Sequence, residues 1–150
     1  MDENDIGTIV MTAAVDIHRN LSPGLLESVY EVVLAHTLRQ QGLQVQRQVP
    51  ISITYNGLRF DEGFRADIIV EGRVILELKC VEKLANSHKK QLLTYLKLSG
   101  LKLGYLFNFS AAVMRDGVVR VVNRLEFDLD PNSMKKVSRG DAENAERREG

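Results

Sequence analysis

Apolar residues recur every three or four positions over residues 4–41 and then mostly every second position, and this change of period divides the chain. Ile6, Ile9, Val10, Ala13, Ala14 and Ile17 keep helical spacing and predict an amphipathic helix over 4–20. NLSPG breaks it. Ser22 as N-cap and Pro23 at the first helical position predict a second helix, which Leu26, Val29, Tyr30, Val33, Leu34 and Leu38 carry to about Gln41. Gly42 is its C-terminal stop. In LQVQRQV, Leu43, Val45 and Val49 alternate with polar residues, Arg47 being the exception, and Pro50 is expected to end the strand. Asn56-Gly57 within ISITYNGLRF predicts a tight hairpin turn. A second hairpin, FRADIIVEGRVILELKC, turns near Glu71-Gly72. A third helix spans about Asn86 to Ser99, with Leu92, Leu93 and Leu96 inward and Gly100 as stop. KLGYLFNFS and GVVRVVN predict two more strands joined through Asp116-Gly117. The order is two helices, three or four strands, a helix and two strands, a mixed α/β fold.

The remaining residues, PNSMKKVSRGDAENAERREG, are almost devoid of apolar groups and read as a disordered tail. The 150 residues suffice for one domain with a substantial core, and 44% hydrophobic with 27% charged residues is an ordinary globular composition. No apolar run approaches the roughly 18 residues of a membrane span, so no membrane partner is expected. The acidic N-terminus lacks the basic region of an export signal, and the single cysteine, Cys80, cannot form an internal disulfide. A cytoplasmic location is the expectation.

Net charge is zero but unevenly spread. Residues 1–31 hold six acids against Arg19 alone, and residues 79–102 hold six lysines against Glu82 alone. The basic stretch, including Lys83, Lys89 and Lys90, is either a solvated helix face or a surface that meets phosphates.

Three ionisable residues interrupt the apolar second hairpin: Asp67, Glu77 and Lys79. Charge in a buried strand is costly unless it is paired or holds a metal. Glu77 and Lys79 leave one face of their strand, and Leu76, Leu78 and Cys80 leave the other. A two-residue turn would put Asp67 opposite Leu76. A three-residue turn or a bulge would put it opposite Glu77, at Cβ separations of about 4.5–5.5 Å. Two carboxylates at that range repel unless a cation lies between them, and hard oxygen donors suit Mg²⁺. Lys79 beside such a cation would orient or deprotonate an attacking water and balance charge on a phosphorane. The residues alone leave two readings open, a metal-and-phosphate site or a structural salt bridge between Lys79 and one carboxylate.

Two further stretches bear on this. GLLESVY places Glu27, Tyr30 and Glu31 on one helix stripe, and QLLTY puts Gln91 and Tyr95 on one face of the third helix. With these the chain resembles the GxxExxY family within the PD-(D/E)XK nuclease superfamily, over roughly residues 5–123. Gly24, Glu27 and Tyr30 match the naming motif, Asp67 the superfamily's first acid, and Glu77-Leu78-Lys79 its ExK. Gln91 and Tyr95 match the QxxxY motif of the RecB-like branch, and YLFNF resembles the strand that follows it. Ala66 stands where the superfamily pattern has proline.

The resemblance implies a restriction-endonuclease-like core over residues 1–124, a central mixed β-sheet flanked by helices, with 125–150 as the tail. It implies a Mg²⁺- or Mn²⁺-dependent nuclease in which Glu27, Asp67 and Glu77 hold the metal and Lys79 is the catalytic lysine. Gln91 would orient the lysine, a water or the phosphate, and Tyr95 would support or contact substrate. The implied partner is nucleic acid, DNA ahead of RNA, with a partner protein or a homodimer as further expectations. The alternative is a non-catalytic nucleic-acid-binding or partner-docking module that retains the fold.

Other residues have plainer readings. Tyr30 and Tyr95 read as packing residues with satisfied hydroxyls, Tyr30 in support of the site. His18, His36 and His88 show no zinc-ligand spacing, though His88 opens the helix carrying Gln91 and is placed to meet a phosphate. Cys80 reads as an inert core thiol, Gly24 as structural, and Glu31 as a solvated helix residue.

Overall fold

A computed structural model describes residues 1–124; the predicted tail lies outside the described residues. Helix α1 (Glu3–Leu21) begins with a reciprocal cap, since the Asp2 carboxylate accepts from the Asp5 amide and the Asp5 carboxylate from that of Asp2. Helix α2 (Glu27–Gln40) starts four residues later than the Ser22–Pro23 signal predicts. Ser22 instead closes α1, its N–H donating to the His18 carbonyl at φ 62°. Residues 22–26 are held as a loop because the Tyr30 hydroxyl donates to the Ser22 carbonyl (2.6 Å) and accepts from the Leu25 amide (3.1 Å).

Strands β1 (Val45–Tyr55) and β2 (Leu58–Val70) form a long antiparallel hairpin around Asn56-Gly57, both with positive φ as a tight primed turn requires. Pro50 lies within β1 rather than at its end. β1 is an edge strand paired only with β2, and the outer N–H groups of an edge have no ladder partner to lose. Strand β3 (Val74–Lys79) pairs antiparallel with β2, and helix α3 (Asn86–Ser99) crosses over to β4 (Leu103–Asn108), parallel to β3. A short 3-10 turn (Met114–Gly117) leads into β5 (Val118–Val122), antiparallel to β4. The sheet order is β1-β2-β3-β4-β5, so the optional fourth strand before α3 is absent.

The sheet carries a core on each face. Ile6, Val10 and Ile17 of α1 and Leu34 and Leu38 of α2 pack on Ile68, Leu76, Leu78 and Phe107. Leu92 and Leu96 of α3 pack on Ile69, Ile75 and Leu106. Leu93, expected inward, is only partly buried. None of the described helices is long and apolar enough to cross a membrane.

The alternation of β1 and β2 inverts partway along. Val45 and Ile68 belong to the α1–α2 face, whereas Val49, Ile51, Ala66 and Phe64 belong to the α3 face, although an unbroken strand would keep Val45 and Val49 on one side. The inversion falls at Gln48, which adopts φ 52°. The flanking pairs Arg47–Ile68 and Val49–Ala66 leave Gln48 opposed to Asp67.

Candidate active site

The turn between β2 and β3 has three residues, Glu71, Gly72 and Arg73, closed by the Arg73 amide donating to the Val70 carbonyl (3.0 Å). Glu71 and Gly72 both take left-handed φ, and Val70 therefore pairs with Val74. The register Val70–Val74, Ile69–Ile75, Ile68–Leu76 puts Asp67 across from Glu77. Each carboxyl reaches the other's strand. Glu77 Oε2 accepts from the Asp67 amide (2.8 Å), and Asp67 Oδ2 accepts from the Leu78 amide (2.9 Å).

Glu77 is 5% exposed, and its pKa is pushed from 4.5 up to about 8, first by burial and then by the charge of Asp67. Lys79 opposes the shift. Strand alternation sets Lys79 on the side of Glu77, and among the described residues its ammonium makes no ion pair with Asp67 or Glu77. A structural salt bridge therefore does not explain the trio. Cys80 is half-buried, with Sγ 4.0 Å from the Leu25 carbonyl oxygen; burial and then Glu27 push its thiol pKa up.

Glu27 opens α2. Its residue is exposed, yet its carboxyl pKa is raised, first by desolvation and then by Asp67, while Lys79 and a backbone bond from Cys80 lower it. It thus lies within electrostatic reach of Asp67 and Lys79. Among the described residues no three His, Cys, Asp or Glu side chains stand together as a metal-binding group. The close pair is Asp67 and Glu77, two hard oxygen donors whose mutual repulsion a divalent cation would relieve, with Glu27 beside them. That donor chemistry fits Mg²⁺ or Mn²⁺.

On the other side, Tyr95 of α3 stacks on Phe64 with centroids 4.0 Å apart and ring planes 6° from parallel. Its hydroxyl pKa is raised by burial and then by Glu77 and Asp67, so the phenol senses both acids. Gln91, one turn earlier, is exposed. His88 has a structural use, its Nδ1 accepting from the Ala85 amide (3.0 Å) while its own amide donates to the Ala85 carbonyl, which closes the start of α3. Lys83 and Lys90 are exposed and Lys89 half-buried at the same end of α3. Tyr30 is wholly buried, stacks on Phe109 at 4.5 Å and ties the loop from which Glu27 emerges.

Glu31 departs from its expected solvated state. It is 5% exposed because β1 covers it, and both carboxylate oxygens are occupied. Arg47 donates to Oε2 through Nε (3.0 Å) and Nη2 (2.7 Å), and Gln48 donates to Oε1 through Nε2 (2.8 Å). The signal for this was Arg47, the charged residue at an inward position of an alternating strand.

No sequence among curated proteins matches the chain. The family model of the PD-(D/E)XK nuclease superfamily matches residues 4–121. The mixed five-stranded sheet with its flanking helices agrees with the restriction-endonuclease-like fold of that group. With an acid, a Glu-Leu-Lys tripeptide on the adjacent strand and a match over most of its length, the chain belongs to the PD-(D/E)XK nuclease superfamily.

Proposed function

We propose that the protein is a divalent-metal-dependent nuclease that hydrolyses phosphodiester bonds of nucleic acid, DNA ahead of RNA, and that it is of the GxxExxY type. The observation that carries this reading is the opposition of Asp67 to Glu77 with Lys79 beside them and outside any ion pair with either. Two acids set side by side, one of them buried, are unfavourable for stability alone, and such arrangements cluster at functional sites.

Asp67 and Glu77 would hold Mg²⁺ or Mn²⁺, with Glu27 joining from α2. The bound cation would supply Lewis acidity to the phosphate and acidify a water. Lys79 orients the attacking water and offsets the charge that develops on the phosphoryl oxygens. Gln91, on the exposed face of α3, positions lysine, water or phosphate, and Tyr95 braces that side of the site through its stack on Phe64. Lys83, Lys89 and Lys90 guide the phosphate backbone. Tyr30 supports Glu27 by fixing the preceding loop.

A second reading, a nucleic-acid-binding or docking module without catalysis, draws on the backbone amides of Asp67 and Leu78, which already engage both acids. Incubation of labelled DNA and RNA with the protein in Mg²⁺, Mn²⁺ or EDTA, alongside Glu77→Ala, separates the two. Cleavage that needs the cation and Glu77 supports the nuclease. Binding without cleavage under every condition decides for the module.

A further inference from the structure

Glu31, Arg47 and Gln48 take no direct part in this chemistry, yet they join α2, which carries Glu27, to β1, the strand paired with the one that carries Asp67. Glu31 is one helical turn beyond Glu27 on α2. Arg47 and Gln48 lie on β1 where its alternation inverts, and Gln48 opposes Asp67 across the β1–β2 ladder. We propose that these three residues form a clamp that positions the acid site, fixing the approach of Glu27 to Asp67 by locking the first turns of α2 to the inversion in β1. The inference rests on the nuclease reading of the site and names positioning residues for it.

Three features support the assignment. First, the buried Glu31 carboxylate is fully engaged, by a guanidinium fork on one oxygen and an amide on the other, a geometry that resists rotation as well as separation. Second, Gln48 sits at φ 52°, a conformation that L residues seldom adopt and that persists where surrounding contacts enforce it. Its bond to Glu31 is such a contact, and the inversion it produces sets the strand geometry facing Asp67. Third, Glu27 and Asp67 are acids carried by separate elements, α2 and β2, and like charges do not draw those elements together. An anchor that keeps them close in the absence of a cation must bond to groups other than the acids, and Glu31, Arg47 and Gln48 meet that condition.

A merely stabilising ion pair would raise the stability of the whole sheet, whereas a clamp acts on the site. The amides of Asp67 and Leu78 report the difference because they donate to Glu77 and Asp67. Amide hydrogen exchange on the metal-free full chain compares them with amides of the β3–β4 ladder. In Glu31→Gln, exchange at Asp67 and Leu78 is expected to rise about tenfold or more while the ladder amides stay within about twofold, the pattern of a local opening. Arg47→Lys keeps the charge but not the fork and falls between Glu31→Gln and wild type. Mn²⁺ affinity, read by titration, should weaken about 10- to 100-fold in Glu31→Gln, as for other groups that orient metal ligands. Gln48→Gly tolerates the left-handed backbone and removes the side chain that donates to Glu31, so it carries the test if Glu31→Gln does not fold. Unchanged exchange at Asp67 and Leu78, or acceleration in step with the whole sheet, overturns the clamp. Wild-type protein that binds no Mn²⁺ sinks the nuclease reading, and the exchange comparison still decides the clamp.

Discussion

Asp67 and Glu77 exchange hydrogen bonds across two strands, each carboxyl oxygen accepting an amide of the other's strand at 2.8–2.9 Å. The exchange depends on the three-residue turn, since a turn one residue shorter would set Asp67 against Leu76. A buried acid, Glu77, and a half-buried one, Asp67, are thereby held close, and among the described residues neither has a cationic partner within ion-pair distance.

The first consequence is a pH dependence of stability without metal. The Glu77 carboxyl ionises near 4.5 in the unfolded chain and near 8 in the folded one. Between those values the folded state keeps a proton that the unfolded chain has lost. Stability therefore falls as pH rises through that window, at up to about 1.4 kcal/mol per pH unit. Glu77→Gln should flatten the slope and exceed wild type in stability above pH 8. Urea unfolding in EDTA at several pH values checks this.

Metal should reverse that penalty. Mn²⁺ or Mg²⁺ at about 100 times its dissociation constant should stabilise wild type by about 2.7 kcal/mol. Asp67→Asn and Glu77→Gln should lose most of this gain together with cleavage. Thermal unfolding with and without the cation measures it.

If Lys79 has the proposed role, acting on charge that appears only in the transition state, Lys79→Ala should lower turnover by about 10²- to 10⁴-fold with nearly unchanged substrate affinity. A loss confined to affinity, seen in single-turnover kinetics, would assign Lys79 to binding instead.

Lys83, Lys89 and Lys90 should behave oppositely. Changing them to Ala should weaken nucleic-acid binding and reduce the slope of log K against log salt by up to about 0.9 per lost phosphate contact. The rate of the chemical step under saturating substrate should remain. A salt titration of binding, set beside single-turnover rates, tests both halves.

Tyr30→Phe preserves the stack on Phe109 but leaves the Leu25 amide and the Ser22 carbonyl without the hydroxyl between them. Ser22 and Leu25 are exposed and can turn to water, so a cost of about 0.5–1.5 kcal/mol is expected from the lost hydrogen bonds. If the loop positions Glu27, Mn²⁺ affinity should also decline, which titration reads separately from unfolding.

Local signals located most elements. The bounds of α3 follow from its leucines and Gly100, and Asn56-Gly57 turns as its residue types require. Sequence and structure part where a distant contact overrides a local preference. Ser22–Pro23 has the chemistry of a helix start, but the Tyr30 hydroxyl holds the segment as a loop. Pro50 looks like a strand terminator only while the strand's place at the sheet edge is unknown. Asp67, Glu77 and Lys79 stood out because charge in an apolar run is conspicuous, whereas Glu31 did not. A carboxylate on a helix surface looks solvated until the covering strand is known, and that strand's inversion at Gln48 has no marker in residue type.

The short turn between β2 and β3 also orders events as the chain folds. Asp67 and Glu77 are ten positions apart, and a hairpin of this kind closes in about 1–10 μs. Glu27 and Tyr95 come from elements that must close much longer loops, which is slower and entropically dearer. The acid pair therefore meets while it is still in water, where two unit charges 4 Å apart repel by only about 1 kcal/mol. Its penalty grows when α2 and α3 dock and drive the water out. Electrostatic resistance thus falls on the late docking steps, and the hairpin forms nearly free of it.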